Sequence, residues 1–180
     1  IALKLEVGKT YAFVGPTGGG KTTAASLMAR LYDPTEGTIW LDGRDIRTYT
    51  PEERTKKIGF ILQEPFLFSG SLLDNLFYGN AEYAGRSEAE LLEVVTRAGL
   101  DGLLTHVTSG LKTQIQTGGD TLSLGQRQLV AFVRAVLRKP TLLILDEATA
   151  NIDTVTEQLL EEALRTLPPE TTKVVIAHRL

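Results

Sequence analysis

The sequence contains no cysteine and only two histidines, His106 and His178. Without thiols there is no disulfide and no thiolate metal centre. Two imidazoles are too few to build a histidine metal cluster. A cysteine-free chain fits a reducing compartment. Long apolar runs are missing as well: none approaches the roughly 18 residues of a membrane-crossing helix. Nor is there an excess of basic charge. Nineteen lysines and arginines face 22 acids, for a net charge of −3. No general footprint for nucleic acid results, so no nucleic-acid partner is expected, although a local basic patch stays open. What is present is an ordinary globular mixture of 180 residues, 42% hydrophobic and 23% charged, enough for one domain with a real core. The chain opens on Ile1 and closes on Ala177-His178-Arg179-Leu180. Both ends are expected to be cuts in a longer protein.

The stretch around which the rest is organised is Gly15-Pro16-Thr17-Gly18-Gly19-Gly20-Lys21-Thr22. It follows the apolar run Tyr11–Val14 and opens into a helical pattern from Thr23 to Leu31. Strand, then G-x-x-x-x-G-K-[ST], then helix is the context of a phosphate-binding loop. Glycines let the backbone wrap a phosphate so that successive N–H groups point inward. The helix N-terminus adds partial positive charge. Lys21 reaches the outer phosphates, and the Thr22 hydroxyl suits Mg²⁺. A chance match in a chain this long is on the order of one in a hundred. Binding of a nucleoside triphosphate is the expectation.

Other segments follow from caps and breakers. Residues 10–14 form a strand, and a helix from about 21 to 31 stops before Asp33-Pro34. Thr38–Leu41 and Arg44–Ile46 form strands joined by an Asp42-Gly43 turn. Thr50-Pro51-Glu52-Glu53, Ser71 with Asp74, Ser87 with Glu90, and Ser123 with Gln126 mark helix starts. Residues 110–121 predict a loop. Ile58–Leu62, the continuously apolar Leu142–Leu145, and Lys173–Ala177 predict buried strands. Thr154 with Glu157 predicts the start of a helix that runs to Leu167, before Pro168-Pro169. Strands alternating with helices after a phosphate loop argue an α/β fold with a parallel sheet covered on both faces. Residues 64–137 then form a helical insertion between a core made of 1–63 and 138–180.

Four strand ends finish in residues competent for phosphate or metal. The first feeds the loop itself. Asp146 closes the strand 142–145, where open α/β sheets bind ligands, and would hold Mg²⁺ through water. It lies close to the loop if the two strands are neighbours. Glu147 would polarise the water that attacks the γ-phosphate. A solvated acidic pair is the alternative. Gln63 ends a third strand, where a neutral amide coordinates Mg²⁺ and orients water; the alternative is a surface glutamine. His178 ends the fourth, where its N–H reaches the γ-phosphate, and the alternative is a structural histidine. Ser123-Leu124-Gly125-Gln126, after Gly118-Gly119-Asp120, admits two readings. One is simple helix capping; the other is a second anion site offered to a nucleotide on another subunit.

Taken together, Gly15–Thr22, Gln63, Leu122–Gln126, Leu142–Glu147 and His178, in this order, resemble the nucleotide-binding domain of an ABC transporter. Phe66–Ser71, Asp74-Asn75 and Tyr78-Gly79-Asn80 resemble its exporter branch, and Ala148–Asp153 resembles its D-loop. The resemblance implies an ATPase with a RecA-like P-loop core and a helical subdomain. It implies ATP contacts from Gly15, Pro16, Thr17, Gly18, Gly19, Gly20, Lys21, Thr22 and Thr23. Mg²⁺ is implied at Thr22, Gln63 and Asp146, and catalysis at Glu147, His178 and Gln63. It also implies that two domains join head to tail, with Ser123, Leu124, Gly125 and Gln126 facing the partner's ATP. Closure would drive a transmembrane domain from the cytoplasmic face of the inner membrane.

Three departures from the family pattern stand out: Leu124 and Gly19, where glycine and serine are usual, and Thr117, where exporters often carry glutamate. The aromatic that stacks on adenine lies upstream of the phosphate loop in this family. Tyr11 is too close to serve, so that residue is expected outside the chain. Leu124 with an intact Glu147 resembles one half of a heterodimeric multidrug-type exporter; a homodimer that tolerates Leu124 is the alternative. Outside the exporter reading stand a soluble ABC-type ATPase acting on ribosomes or chromosomes, and a non-catalytic nucleotide-binding subunit.

Overall fold

A computed structural model describes residues 2–107, 110–116, 122–146 and 152–176. Strand β1 (Thr10–Phe13) runs into the glycine-rich loop and helix α1 (Lys21–Met28). The helix ends three residues before the expected Leu31, because Arg30 enters the left-handed region at φ 51°. The Arg30 guanidinium donates to the carbonyls of Ile46 and Arg47, at 3.2 and 2.9 Å. Strands β2 (Trp40–Leu41) and β3 (Arg44–Asp45) pair antiparallel. Both turn residues have positive φ, Asp42 at 50° and Gly43 at 74°, as a tight hairpin of this type requires.

Helix α2 (Pro51–Lys57) starts on the Thr50/Glu53 capping box with proline in its first turn. It feeds strand β4 (Ile58–Ile61). Strand β5 (Gly70–Ser71) and helix α3 (Leu72–Phe77) follow, with the Ser71/Asp74 box at the junction. Helix α4 (Glu88–Arg97) starts on Ser87/Glu90 and ends before Gly99, whose φ is 68°. A short helix α5 (Asp101–Leu104) comes next. The stretch expected to be loop contains strand β6 (Gln114–Ile115), paired antiparallel with β5. Its anchor is Ile115, which is buried in the core. Helix α6 (Leu124–Val136), strand β7 (Leu142–Asp146), helix α7 (Thr154–Thr166) and strand β8 (Thr172–Ile176) complete the described elements.

Strands β1, β8, β7 and β4 lie in that order in one parallel sheet. Phe13, Ile176 and Asp146 stand level across three strands, and Ile61 stands level with Leu145. The C-terminal ends of all four therefore share one edge. The phosphate-loop strand and the Asp146 strand are not neighbours, because β8 lies between them.

Strand β7 is buried along its whole length. Leu143 and Leu145 point to one face of the sheet, against α6, α7 and the helical segment through Leu129, Phe132 and Leu160. Leu142 and Ile144 point to the other face, with Ala25 of α1 and Ile46. Period-two alternation in a strand apolar on both sides produces this sandwich.

Candidate functional site

The loop between β1 and α1 owes its shape to glycine. Gly15, Gly18 and Gly20 have φ of 149°, 78° and 81°, a region that L side chains avoid. Gly20 is the N-cap of α1 and provides no side-chain cap, and the first turn carries no acid. The N–H groups of that turn face the loop with the positive end of the helix dipole behind them. Gly19 donates its N–H to the Pro16 carbonyl at 3.1 Å, which closes the loop. The Lys21 ammonium donates to the carbonyls of Gly15 at 2.8 Å and Pro16 at 3.0 Å. It is thereby held over the loop mouth, and an ammonium has a third N–H to give. All of Val14–Gly20 is exposed, as are Thr22 and Thr23.

The Thr22 hydroxyl donates to Asp146 Oδ1 at 3.1 Å. This contact closes a span of 124 positions in the chain. Helix α1 packs on both β7 and β8 and so bridges the intervening strand. Asp146 is buried, at 6% exposure. Two hard oxygens, one hydroxyl and one carboxylate, thus meet beside the loop, the donor set that Mg²⁺ takes.

Gln63 lies one residue past Leu62 at the exit of β4, with its side chain exposed. Glu147 and His178, the Thr117–Asp120 approach to Ser123, and the Ala148–Asn151 part of the D-loop lie outside the described residues. Tyr11 is occupied within the fold: its hydroxyl accepts from the Glu6 N–H at 2.7 Å, and its ring packs against the core.

Ser123 caps α6 as its sequence predicts. Its hydroxyl oxygen accepts from Gln126 N at 3.2 Å, and its own N–H donates to Gln126 Oε1 at 2.9 Å. Ser123 remains exposed, and Leu124 is half-buried. Gly125 has an intramolecular reason that sequence reasoning missed. A Cβ there would stand 2.9 Å from Thr156 Oγ1 and 3.0 Å from Thr156 Cγ2. Only glycine lets the start of α6 lie against the start of α7.

Asp153 caps α7, not Thr154 as expected. Its carboxylate accepts from the Thr156 amide at 2.9 Å and the Thr156 hydroxyl at 2.6 Å. The Thr156 hydroxyl, and then its amide, hold the Asp153 carboxyl below the ordinary carboxylate range.

Three further polar residues reach inward, of which the sequence analysis named only Asn75, in the exporter-like pair Asp74-Asn75. Gln128 of α6 is fully buried and donates through Nε2 to the carbonyls of Leu62, at 3.2 Å, and Gln63. Arg134, also on α6, donates to the carbonyls of Asn75 at 2.7 Å and Phe66 at 3.2 Å. Burial, with Arg138 adding repulsion, pushes Arg134 down to about 10. Buried Asn75 donates in turn to the Phe68 carbonyl at 2.8 Å. The available signal was a polar side chain on the apolar face of α6. Beside these residues, along the β4 edge, runs a groove of about 300 Å³. Its walls include Phe66 and Tyr78, which are about half exposed, and Phe68, stacked on Tyr78 at 3.8 Å.

Known proteins resemble this chain in sequence and in fold. Residues 1–150 match the family described as ABC transporter. An uncharacterized ABC transporter ATP-binding protein of Bacillus subtilis, YfiC, is 46% identical over 98% of this chain and 29% of its own length. The human mitochondrial potassium channel ATP-binding subunit is 44% identical over 99% of this chain and 24% of its own. Among solved structures, a bacterial Atm1-family ABC exporter with ATP bound superposes with a TM-score of 0.81. It is 35% identical, over 97% of this chain and 30% of that one. The chain therefore spans less than a third of the length of these relatives.

Proposed function

The chain belongs to the ABC transporter family, as an ATP-binding domain homologous to exporter ATPase subunits, and on that premise we propose that it is the hydrolytic motor of a transmembrane exporter. The observation that carries this reading is the contact between Thr22 and Asp146 beside the lysine-bearing loop. It joins a hydroxyl and a buried carboxylate where the outer phosphates of a bound ATP would lie.

Residues 1–63 and 138–180 make up the P-loop core, and 64–137 the helical subdomain. Gly15 to Thr23 wrap the phosphates, and Lys21 pairs with the outer ones. Thr22, Asp146 and Gln63 hold Mg²⁺, which offsets phosphate charge when bound. Little covalent work falls to the protein in phosphoryl transfer, so placing charge and water is most of the catalysis. Glu147 takes the proton of the attacking water, and His178 steadies the γ-phosphate.

Ser123 and Gly125 face the ATP of a second nucleotide-binding domain across a head-to-tail pair, with Asp153 at the same junction. Gly125 and Asp153 both lie against Thr156, which supports placing them on one rigid surface. Leu124 in place of the usual glycine favours a non-identical partner. A transmembrane domain receives the motion through the groove lined by Phe66 and Tyr78, on the cytoplasmic face of the inner membrane.

The test is ATP hydrolysis by the full-length protein reconstituted in lipid vesicles, wild type against Thr22→Val. Mg²⁺-dependent turnover is expected in the wild type, and its loss in the variant. Equal turnover in both would overturn the reading.

A further inference from the structure

Gln128 sits in the interior face of α6, among Leu129, Phe132 and Val133, at 0% exposure. Packing alone does not explain a glutamine there. Its Oε1 is buried and meets no donor among the described residues. A buried acceptor without a partner is costly, and a methionine of the same length would avoid that cost. What glutamine adds is the primary amide Nε2, whose two hydrogens meet two consecutive carbonyls, those of Leu62 and Gln63. These carbonyls stand where the chain leaves β4, and Leu62 and the Gln63 side chain are exposed. The stretch after β4 thus has a firm hold on its backbone from α6, with Arg134 adding a bond to the Phe66 carbonyl.

We propose that Gln128 is the positioning residue for Gln63. By fixing the Leu62 and Gln63 carbonyls it sets the direction in which the Gln63 side chain leaves the sheet edge. It also ties that direction to the helix whose first residues are Leu124 and Gly125. Gln128 lies five residues beyond Ser123, about 7.5 Å along the helix axis. A displacement of the Ser123 end is then carried to Gln63 through one side chain. This inference rests on the reading that Gln63 serves the Mg²⁺–ATP site.

The experiment is a double-mutant cycle in the full-length protein: Gln63→Ala, Gln128→Met and the pair, with kcat, KM for Mg²⁺–ATP and the Mg²⁺ dependence of turnover measured. Gln128→Met keeps length and volume and removes only the amide. It is expected to lower kcat about tenfold, the scale of a lost buried hydrogen-bond pair, with KM within about twofold. It should also raise the Mg²⁺ concentration needed for half-maximal turnover. In the Gln63→Ala background it is expected to add nothing. Additive losses would assign Gln128 a merely structural role and overturn the proposal. If Gln63→Ala alone leaves turnover and Mg²⁺ dependence intact, the reading of Gln63 itself fails, and the inference with it. Should Gln128→Met not fold, Gln128→Leu, which also removes the amide without adding a charge, carries the same cycle with the same two outcomes.

Discussion

The Thr22 hydroxyl bonds Asp146 Oδ1 at 3.1 Å although the strands leading to these residues are not neighbours. Helix α1 packs on both β8 and β7, and so brings the Thr22 hydroxyl to the end of β7. Asp146→Asn keeps the shape and removes the charge. Loss of a ligand-supporting group typically costs about 10–100-fold in metal affinity. The Mg²⁺ requirement for ATP turnover by the full-length variant should rise by at least that factor. An unchanged Mg²⁺ titration would remove Asp146 from the site.

Glu147 and Lys21 should separate chemistry from binding. Glu147→Gln is expected to bind ATP normally while turnover falls by roughly 10²–10⁴. Lys21→Ala removes a charged contact to phosphate, worth about 1.5–3 kcal/mol. Its ATP affinity should drop by tenfold or more in a direct binding titration. Normal affinity for Lys21→Ala, or near-normal turnover for Glu147→Gln, contradicts these roles.

Gly125→Ala should destabilise the fold by about 1–3 kcal/mol, because the added methyl meets Thr156. Thermal melting would record it. The double variant with Thr156→Ala should recover part of the loss, since it opens space at the contact. Strict additivity would show that the two helices do not touch there.

Acid should unfold this protein through its helix caps. The carboxyls of Glu53, Asp74, Glu90 and Asp153 all sit below their ordinary range. The leading cause is the Thr50 backbone amide for Glu53, and the Ser71, Ser87 and Thr156 hydroxyls for the others. In the unfolded chain these groups take up protons near pH 4. There the unfolded state binds more protons than the folded one, so stability rises with pH. The caps contribute fully at neutral pH and are lost as pH falls through about 4 and below. Denaturation midpoints should stay flat from about pH 7 to 5 and then fall; Asp153→Asn and Glu90→Gln should flatten that fall. An identical acid profile for the variants would rule the caps out.

The partner domain should differ from this one. On the proposed head-to-tail arrangement, a leucine at position 124 would crowd a backbone expected to approach a neighbour's nucleotide closely. Expressed alone, the full-length protein should not form a homodimer that turns over two ATP per cycle. The partner should carry an altered acid at the position equivalent to Glu147, together with an intact signature. A fully active homodimer would show that Leu124 is tolerated.

Helix starts were legible residue by residue. Thr50, Ser71, Ser87 and Ser123 each form the reciprocal box that their spacing predicts. Capping is local chemistry, and three residues suffice to write it. At Asp153 the rule slipped by one, because a carboxylate outcompetes the hydroxyl of Thr154 by accepting both Thr156 donors. Strand β6 escaped because two residues have no periodicity. The order of strands was hidden for a different reason: pairing partners are set by packing across the sheet, and no local signal reports that β8 enters between β1 and β7. Gln128 was not singled out at all, because a lone glutamine beside an apolar stripe carries no sign of what it bonds. Only the position of the β4 exit shows that its amide has carbonyls to serve.

The two halves of the candidate site follow strands of different pairing among the described residues. Among the described residues β7 is an interior strand, paired on both sides and buried along its length, whereas β1 is an edge strand with alternate residues exposed. Backbone amides open in order of local stability, edges before interiors. Deuterium should therefore enter β1 and the glycine loop long before it reaches Leu142–Asp146. Slow exchange at Leu142–Asp146 beside fast exchange at Thr10–Phe13 would mean that the carboxylate is held by a strand paired on both sides while the loop follows one that opens more readily.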